Sequence, residues 1–179
     1  GGIRSTVAAT AAEHPDLLEK SLATRLERWR ANGCTTVEVK SGYGLTPAAE
    51  IRLLELMRGA TLRVPVRVHR TALVLHALPD EYRDRRASFI DDVCDVLLPT
   101  LHARELATAV DAFCDPVAFT VEECRRVLSA AKALGFAVKL HADQLERSGG
   151  ALLAAELAAL SADHLESATA DDWAALARA

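Results

Sequence analysis

The feature that most constrains the fold is the regular alternation of strand-like and helix-like segments along the chain. Five short apolar runs have the threonine and valine content and the length of strands: CTTVEVKSG, VRVHRTALVLH, AVDAFCD, AVKLHAD and SADHL. Segments with apolar residues at three- and four-residue steps lie between them, such as PDLLEKSLATRLERWRA at 15–31. This alternation predicts βα units on a parallel sheet, in a barrel or in a doubly wound fold.

The helical segments carry their own start and stop signals. Thr46-Pro47 and Thr120 precede the second and fourth of these segments, which is where a capping residue is favoured. A third helical region is expected from about Glu81 to Leu98, broken by Pro99. Gly135 ends the segment that starts after Thr120, and Thr169 begins a last helix.

A barrel is favoured over a dinucleotide-binding fold, because no G-x-G-x-x-G or phosphate-binding loop follows the first strand. Three strands end at or near a histidine, at His76, His141 and His164, and barrels of eight βα units collect polar groups at these strand ends. Such barrels take about 250 residues, so 179 residues suffice for about five units. We therefore expect residues 1–179 to be one partial (β/α)8 barrel domain, truncated at both ends.

The composition limits the partners and the compartment. Half of the residues are hydrophobic, the net charge is −4 and aromatic residues make up 4%, which argues against a nucleic-acid partner and favours a small-molecule substrate. No apolar run reaches the roughly 18 residues of a membrane span. The four cysteines form no C-x-x-C pair, which suggests reduced buried thiols, and we expect a cytoplasmic protein.

The histidines at the strand ends have two readings each. His141 suits a zinc or iron ligand, but a lone histidine on a strand is more commonly a buried, hydrogen-bonded ring. His164 follows 23 residues later at the next strand end, where it could share a ligand with His141 or activate a water molecule. The alternative, a helix cap with a solvated ring, is equally compatible with the spacing. The KSGYGL segment likewise places Tyr43 over a neighbouring pocket or in a surface turn.

Four segments together resemble the imidazolonepropionase family of the amidohydrolase superfamily: VEVKSGYGL, LHALPDEY, VKLHADQL and GALLAAELAALSADHLE. The resemblance runs from GGIRSTV to the last helix. It implies a central piece of a (β/α)8 barrel enzyme. It also implies metal-dependent hydrolysis of the ring amide of 4-imidazolone-5-propanoate to N-formimidoyl-L-glutamate, a step of histidine degradation.

The resemblance also assigns roles to residues. His141 would be a ligand of one zinc or iron ion, and His164 would position or activate the attacking water. Tyr43 and His76 would hold the substrate, and Gln144 would contact the imidazolone ring. The family's remaining ligands, a His-x-His pair and an aspartate, and its propionate-binding arginine are not in this sequence. LVLHALP and CDPVAFT also depart from the family's usual pattern around His76 and Cys114.

Two further hypotheses stay open. The parent protein could be another amidohydrolase, either a different cyclic amidase or a deaminase, or the chain could be a non-catalytic fragment. Because an open run of barrel strands exposes two unpaired edges and the apolar interior, we expect the isolated chain to be inactive and to aggregate. A homodimer is compatible with the resemblance.

Overall fold

The structure, a computed structural model, describes residues 3–179; Gly1 and Gly2, at the start of the expected barrel segment, lie outside the described residues. The helices are α1 (Ile3–Ala12), α2 (Pro15–Ala31), α3 (Pro47–Thr61), α4 (Arg86–Asp92), α5 (Leu98–Ala103), α6 (Val121–Ala133), α7 (Gly150–Glu156) and α8 (Ala170–Leu176). The strands are β1 (Thr36–Lys40), β2 (Arg67–Leu75), β3 (Ala109–Cys114), β4 (Ala137–Ala142) and β5 (Ser161–His164). In the part of the chain that is described, no helix combines the length and the apolar character that crossing a membrane requires.

The five strands form one parallel sheet in the order β1-β2-β3-β4-β5. Each strand therefore pairs with the next one along the chain, and a helical connection joins each pair, as in a barrel of βα units. All five strands predicted from the sequence are present, with ends that differ by one or two residues. The predicted fold class, an α/β fold with about five units of a (β/α)8 barrel, is confirmed.

The sheet is strongly curved, as a contact between its two outermost strands shows. Lys40 ends β1, and its Nζ lies 2.5 Å from Oδ2 of Asp163 on β5. Four strand intervals of about 4.8 Å would separate β1 and β5 by about 19 Å in a flat sheet, beyond the reach of these two side chains. The concave face of the sheet therefore brings the carboxyl ends of β1 and β5 together.

The two faces of the sheet differ in chemistry, because successive side chains point to opposite sides. On the convex face, residues such as Val110, Ala112 and Leu140 are buried in the hydrophobic core against the helices. The concave face instead carries a network of charged and polar side chains: Glu38, Lys40, Thr71, Asp111, Lys139, His141 and Asp163. The expectation that the open barrel exposes an apolar interior was therefore wrong for this face, which is lined largely by paired charges.

Two helical regions differ from the sequence-based expectation. The region expected to break at Pro99 continues through a π-helical turn, Val93–Leu97, directly into α5. Pro99 is accommodated because the π-helical turn directly before it shifts the hydrogen-bond register, so the helix continues past a residue that has no amide donor. Helix α1 was not predicted, and none of its ten residues is buried, so its sequence carries little apolar pattern for a prediction.

Candidate functional site

Four side chains from β1, β3, β4 and β5 converge in a cluster on the concave face of the sheet. Lys40 Nζ lies 2.8 Å from Asp111 Oδ2 and 2.5 Å from Asp163 Oδ2. His141 Nδ1 lies 3.1 Å from Asp111 Oδ1, and its Nε2 lies 4.0 Å from Asp163 Oδ2. Asp111 is fully buried, whereas the other three are partly exposed on the concave face. One predicted site residue, His141, thus lies beside three charged residues that the sequence analysis did not select.

The charges in this cluster stabilise one another. Burial acts to lower the pKa of Lys40, but the ion pairs with Asp111 and Asp163 outweigh it, and the pKa is raised. Burial acts to raise the pKa of Asp163, yet the hydrogen bond and charge of Lys40 hold that pKa below its usual range. Lys40 and Asp163 therefore keep their charged forms at neutral pH.

Asp111 determines which nitrogen of His141 is available to a ligand. An ionised carboxylate only accepts hydrogen bonds, so Nδ1 of His141 carries the proton that it donates to Asp111. In the neutral ring Nε2 is then the nitrogen with a free lone pair, and it is the one that faces Asp163. A carboxylate behind a histidine is the arrangement that orients metal-binding imidazoles in many proteins.

The donor types of this cluster suit a metal ion, although Lys40 already contacts two of its three donor groups. Asp111, His141 and Asp163 each offer a ligand atom, and these atoms lie within 4.8 Å of one another. Imidazole nitrogen and carboxylate oxygen are ligands for zinc and iron, but catalytic zinc takes three protein ligands. Lys40 already contacts both carboxylates, so a cation held between them would displace its ammonium group. The fit is therefore best at His141 Nε2, on the side that faces Asp163.

A second pair of predicted residues lies at the ends of β1 and β2. The rings of Tyr43 and His76 meet edge to face, with centroids 5.2 Å apart. His76 Nδ1 lies 2.7 Å from the carbonyl oxygen of Gly42, so Nδ1 is the protonated nitrogen of this ring too. Burial lowers the pKa of His76, and the hydrogen bond to the Gly42 carbonyl opposes that effect. His76 is thus a neutral ring at neutral pH.

His164 and Gln144, the remaining predicted residues, differ in what they contact. The ring of His164 lies 5.5 Å from that of His141, and its Nδ1 lies 3.3 Å from Glu166 Oε1. His164 has a left-handed φ of 75°, which turns the chain at the end of β5. Gln144 is half-buried in the loop after β4, and within residues 3–179 it makes no hydrogen bond or ring contact to the other four predicted residues.

The turn between His141 and Gln144 is fixed by Asp143, whose carboxylate is fully buried. Its Oδ1 accepts from the amides of Ser148 and Gly149 at 2.6 and 3.0 Å, and its Oδ2 accepts from Ala151 at 2.9 Å. Asp143 thereby satisfies the free amides at the start of α7. The aspartate of the HADQ segment is therefore a structural cap, and it holds the loop that carries Gln144.

The sequence comparisons support the resemblance inferred from the motifs. No protein-family model matches the chain. An imidazolonepropionase from Erwinia tasmaniensis is 51% identical over 178 residues, and one from Bradyrhizobium sp. is 50% identical over 179 residues. A third, from Acinetobacter baumannii, is 46% identical over 177 residues. The alignments cover 99%, 100% and 99% of this chain in that order.

The resemblance to the imidazolonepropionase family is confirmed. The chain spans about 44% of the length of each of these three relatives, so it matches less than half of an imidazolonepropionase sequence. The roles that the resemblance assigns to Tyr43, His76, His141, Gln144 and His164 stay predictions. The sequence did contain a signal for one of the missed residues, because Asp111 is a charged residue inside the otherwise apolar strand β3. Asp163 lies in the polar strand β5, directly before His164.

Proposed function

We propose that the protein containing this chain is an imidazolonepropionase, which uses one zinc or iron ion to hydrolyse the ring amide of 4-imidazolone-5-propanoate to N-formimidoyl-L-glutamate. The observation that carries the proposal is the convergence of His141, with Asp111 behind it, on His164 and Asp163 at the carboxyl ends of adjacent strands. The identity of about half to imidazolonepropionases over the full chain supports the same substrate.

His141 would hold the ion through Nε2. The bound ion would supply a hydroxide near neutral pH and polarise the amide carbonyl. Asp111 keeps the proton on Nδ1 and thereby aims Nε2 at the ion, as carboxylates behind metal-binding histidines do. Lys40 neutralises Asp111 and Asp163, so the site presents less negative charge than its carboxylates alone would give.

His164 is proposed to orient and deprotonate the attacking water. Its ring lies 5.5 Å from that of His141, so a water molecule bound on the His141 side lies within reach of a ring nitrogen. Nδ1 of His164 is near Glu166 Oε1, which leaves Nε2 for the water. Glu166 is exposed, and its charge stabilises the protonated ring that forms when His164 takes the proton.

Tyr43, His76 and Gln144 are proposed to hold the substrate. His76 is neutral with a free Nε2, so it can accept a hydrogen bond from a ring N–H group of the imidazolone. The Tyr43 ring is about one-third exposed beside it and offers both an apolar face and a hydroxyl group. Gln144 can donate and accept with its amide. The cytoplasmic location and the homodimer stay predictions.

The direct test is turnover by a protein in which this chain is extended to the length of its relatives, hereafter the extended protein. We expect the metal-loaded extended protein to convert imidazolonepropionate into formimidoylglutamate, and Tyr43→Phe and His76→Ala each to raise KM or lower kcat. His69→Ala is the matched control, because His69 lies on β2 seven residues before His76. An extended, metal-loaded protein that leaves the substrate intact would refute the proposal. Turnover that is unaffected by both substitutions would instead point to another amidohydrolase substrate.

A further inference from the structure

The loop that carries Tyr43 is held by a buried carboxylate. Glu50 lies in the first turn of α3 and is fully buried. Its Oε2 accepts from the amide of Gly42 at 2.9 Å, and its Oε1 accepts from the amides of Gly44 and Leu45 at 2.7 and 2.9 Å. Burial raises the pKa of Glu50, and Ser41 and the three backbone amides oppose that effect. Among residues 3–179, no lysine, arginine or histidine forms an ion pair with this carboxyl group, so its described hydrogen bonds are those that hold the loop.

The loop conformation depends on these three bonds. Gly42 has a φ of 110° and Leu45 a φ of 64°, so the backbone enters the left-handed region twice within four residues. Such conformations are costly for residues other than glycine and persist where surrounding contacts fix them. Glu50 is itself held in place, because Thr46 caps α3 and its carbonyl accepts from the Glu50 amide at 2.9 Å. Helix α3 therefore determines the shape of the loop.

The same loop determines the orientation of His76. The Gly42 carbonyl that accepts from His76 Nδ1 belongs to the peptide group between Gly42 and Tyr43. Glu50 binds the amide of Gly42 on one side of that peptide group and the amide of Gly44 on the other. Because the amides on both sides are held, this peptide group keeps the Gly42 carbonyl directed at His76. It also keeps the side chain of Tyr43 against the ring of His76.

We infer that Glu50 is a positioning residue: through the Gly42–Tyr43 peptide group it fixes the Nδ1–H tautomer of His76 and the placement of the Tyr43 ring. Glu50 touches neither side chain and acts on both through the loop backbone. The consequence for turnover rests on the proposed function, whereas the consequence for the His76 tautomer does not. The motif analysis selected Tyr43 and His76 but gave no role to Glu50.

The test is Glu50→Gln in the extended protein. The amide has one oxygen and one NH2 group, so it can accept from Gly42 or from Gly44 and Leu45, while its NH2 group faces the remaining N–H donors. The ring-nitrogen NMR signals of His76 are assigned by comparison with His76→Gln. We expect these signals to report a single tautomer in the wild type and a mixture of both tautomers in Glu50→Gln. Loss of a residue that orients a metal ligand costs about ten- to hundredfold in activity, and we expect the loss of Glu50, which orients a substrate-binding histidine, to lower kcat/KM by a similar factor. Glu55→Gln, on the solvent side of the same helix, is the matched control and should change neither.

The outcomes separate the positioning role from the proposed function. A Glu50→Gln protein with a native circular dichroism spectrum, an unchanged His76 tautomer and a kcat/KM within twofold of the wild type would overturn the inference. If Glu50→Gln changes the tautomer and the wild-type extended protein has no imidazolonepropionase activity, the inference is supported and the proposed function is refuted. If Glu50→Gln does not fold, Glu50→Asp decides by the same measurements, because it keeps the carboxyl group and withdraws it by one methylene from the loop.

Discussion

The contact between Lys40 and Asp163 is the sharpest test of the curved sheet, because it joins the two strands that are furthest apart in the strand order. We predict that Lys40→Met and Asp163→Asn are energetically coupled. In a double-mutant cycle, the free energy of unfolding is measured for both single variants and the double variant, and the departure from additivity gives the coupling. In the Asp163→Asn single variant, Lys40 keeps its second partner, Asp111.

The size of the coupling follows from the geometry. In a flat sheet the two strands would be about 19 Å apart, beyond the screening length of about 8 Å at physiological salt. In the curved sheet the charges are in contact, and the side chains of Lys40 and Asp163 are 22% and 37% exposed. Exposed pairs couple by about 0.2–1 kcal/mol, and breaking a fully buried pair costs about 3–5 kcal/mol. For this intermediate burial we expect about 1–2 kcal/mol.

The assay is urea unfolding of the extended protein, followed by circular dichroism, because urea adds no ionic strength. Raising the salt concentration should reduce the coupling only in part, since partly buried pairs are screened less than exposed ones. Lys20→Met combined with Asp163→Asn is the control, because Lys20 lies exposed on α2, and its coupling should be zero within error. A coupling of Lys40 and Asp163 below about 0.3 kcal/mol, the usual error of additivity, would refute the curvature described above.

Three further predictions concern packing, metal binding and pH. Gly150→Ala would place a Cβ 2.8 Å from a Cβ of β4, and we expect a loss of about 1–3 kcal/mol in urea unfolding; an unchanged midpoint would contradict the described packing of α7. Asp111→Asn should weaken zinc binding at His141 by about 10–100-fold in chelator competition, and an unchanged affinity would show that Asp111 does not orient the ring. Arg147 and the start of α8 hold the pKa of Asp172 far below its usual value. A depressed carboxyl pKa stabilises the fold above the unfolded pKa of about 4 and loses this effect as the pH falls. Stability should therefore drop more steeply below pH ~4 in the wild type than in Asp172→Asn, and parallel curves would contradict that role.

The sequence predicted the strands because their signals are local. The β-branched runs, the capping residues Thr46 and Thr120 and the glycine stop at Gly135 act within a few residues of each element. The predicted helix break at Pro99 was wrong because the π-helical turn before Pro99 accommodates the change of hydrogen-bond register. No local sequence pattern predicts that turn. Helix α1 was missed for the opposite reason: it buries none of its residues and so lacks an apolar stripe.

The site was predicted in part, and the reason lies in sequence separation. His141 was found because it ends a strand, and Tyr43 because two glycines flank it. Lys40 reaches Asp111 and Asp163 across 71 and 123 residues, and only the curvature of the sheet makes these contacts. Asp143 illustrates the converse, since its place beside His141 in the sequence suggested the site, whereas its side chain caps α7.

The central claim is that His141 binds a metal ion at the carboxyl ends of these strands. The most direct measurement is the metal content of the purified extended protein, compared with His141→Ala and with His69→Ala. We predict about one zinc or iron ion per chain in the wild type and in His69→Ala, and loss of the ion in His141→Ala with the fold retained. A folded His141→Ala protein that keeps a full equivalent of metal would contradict the account.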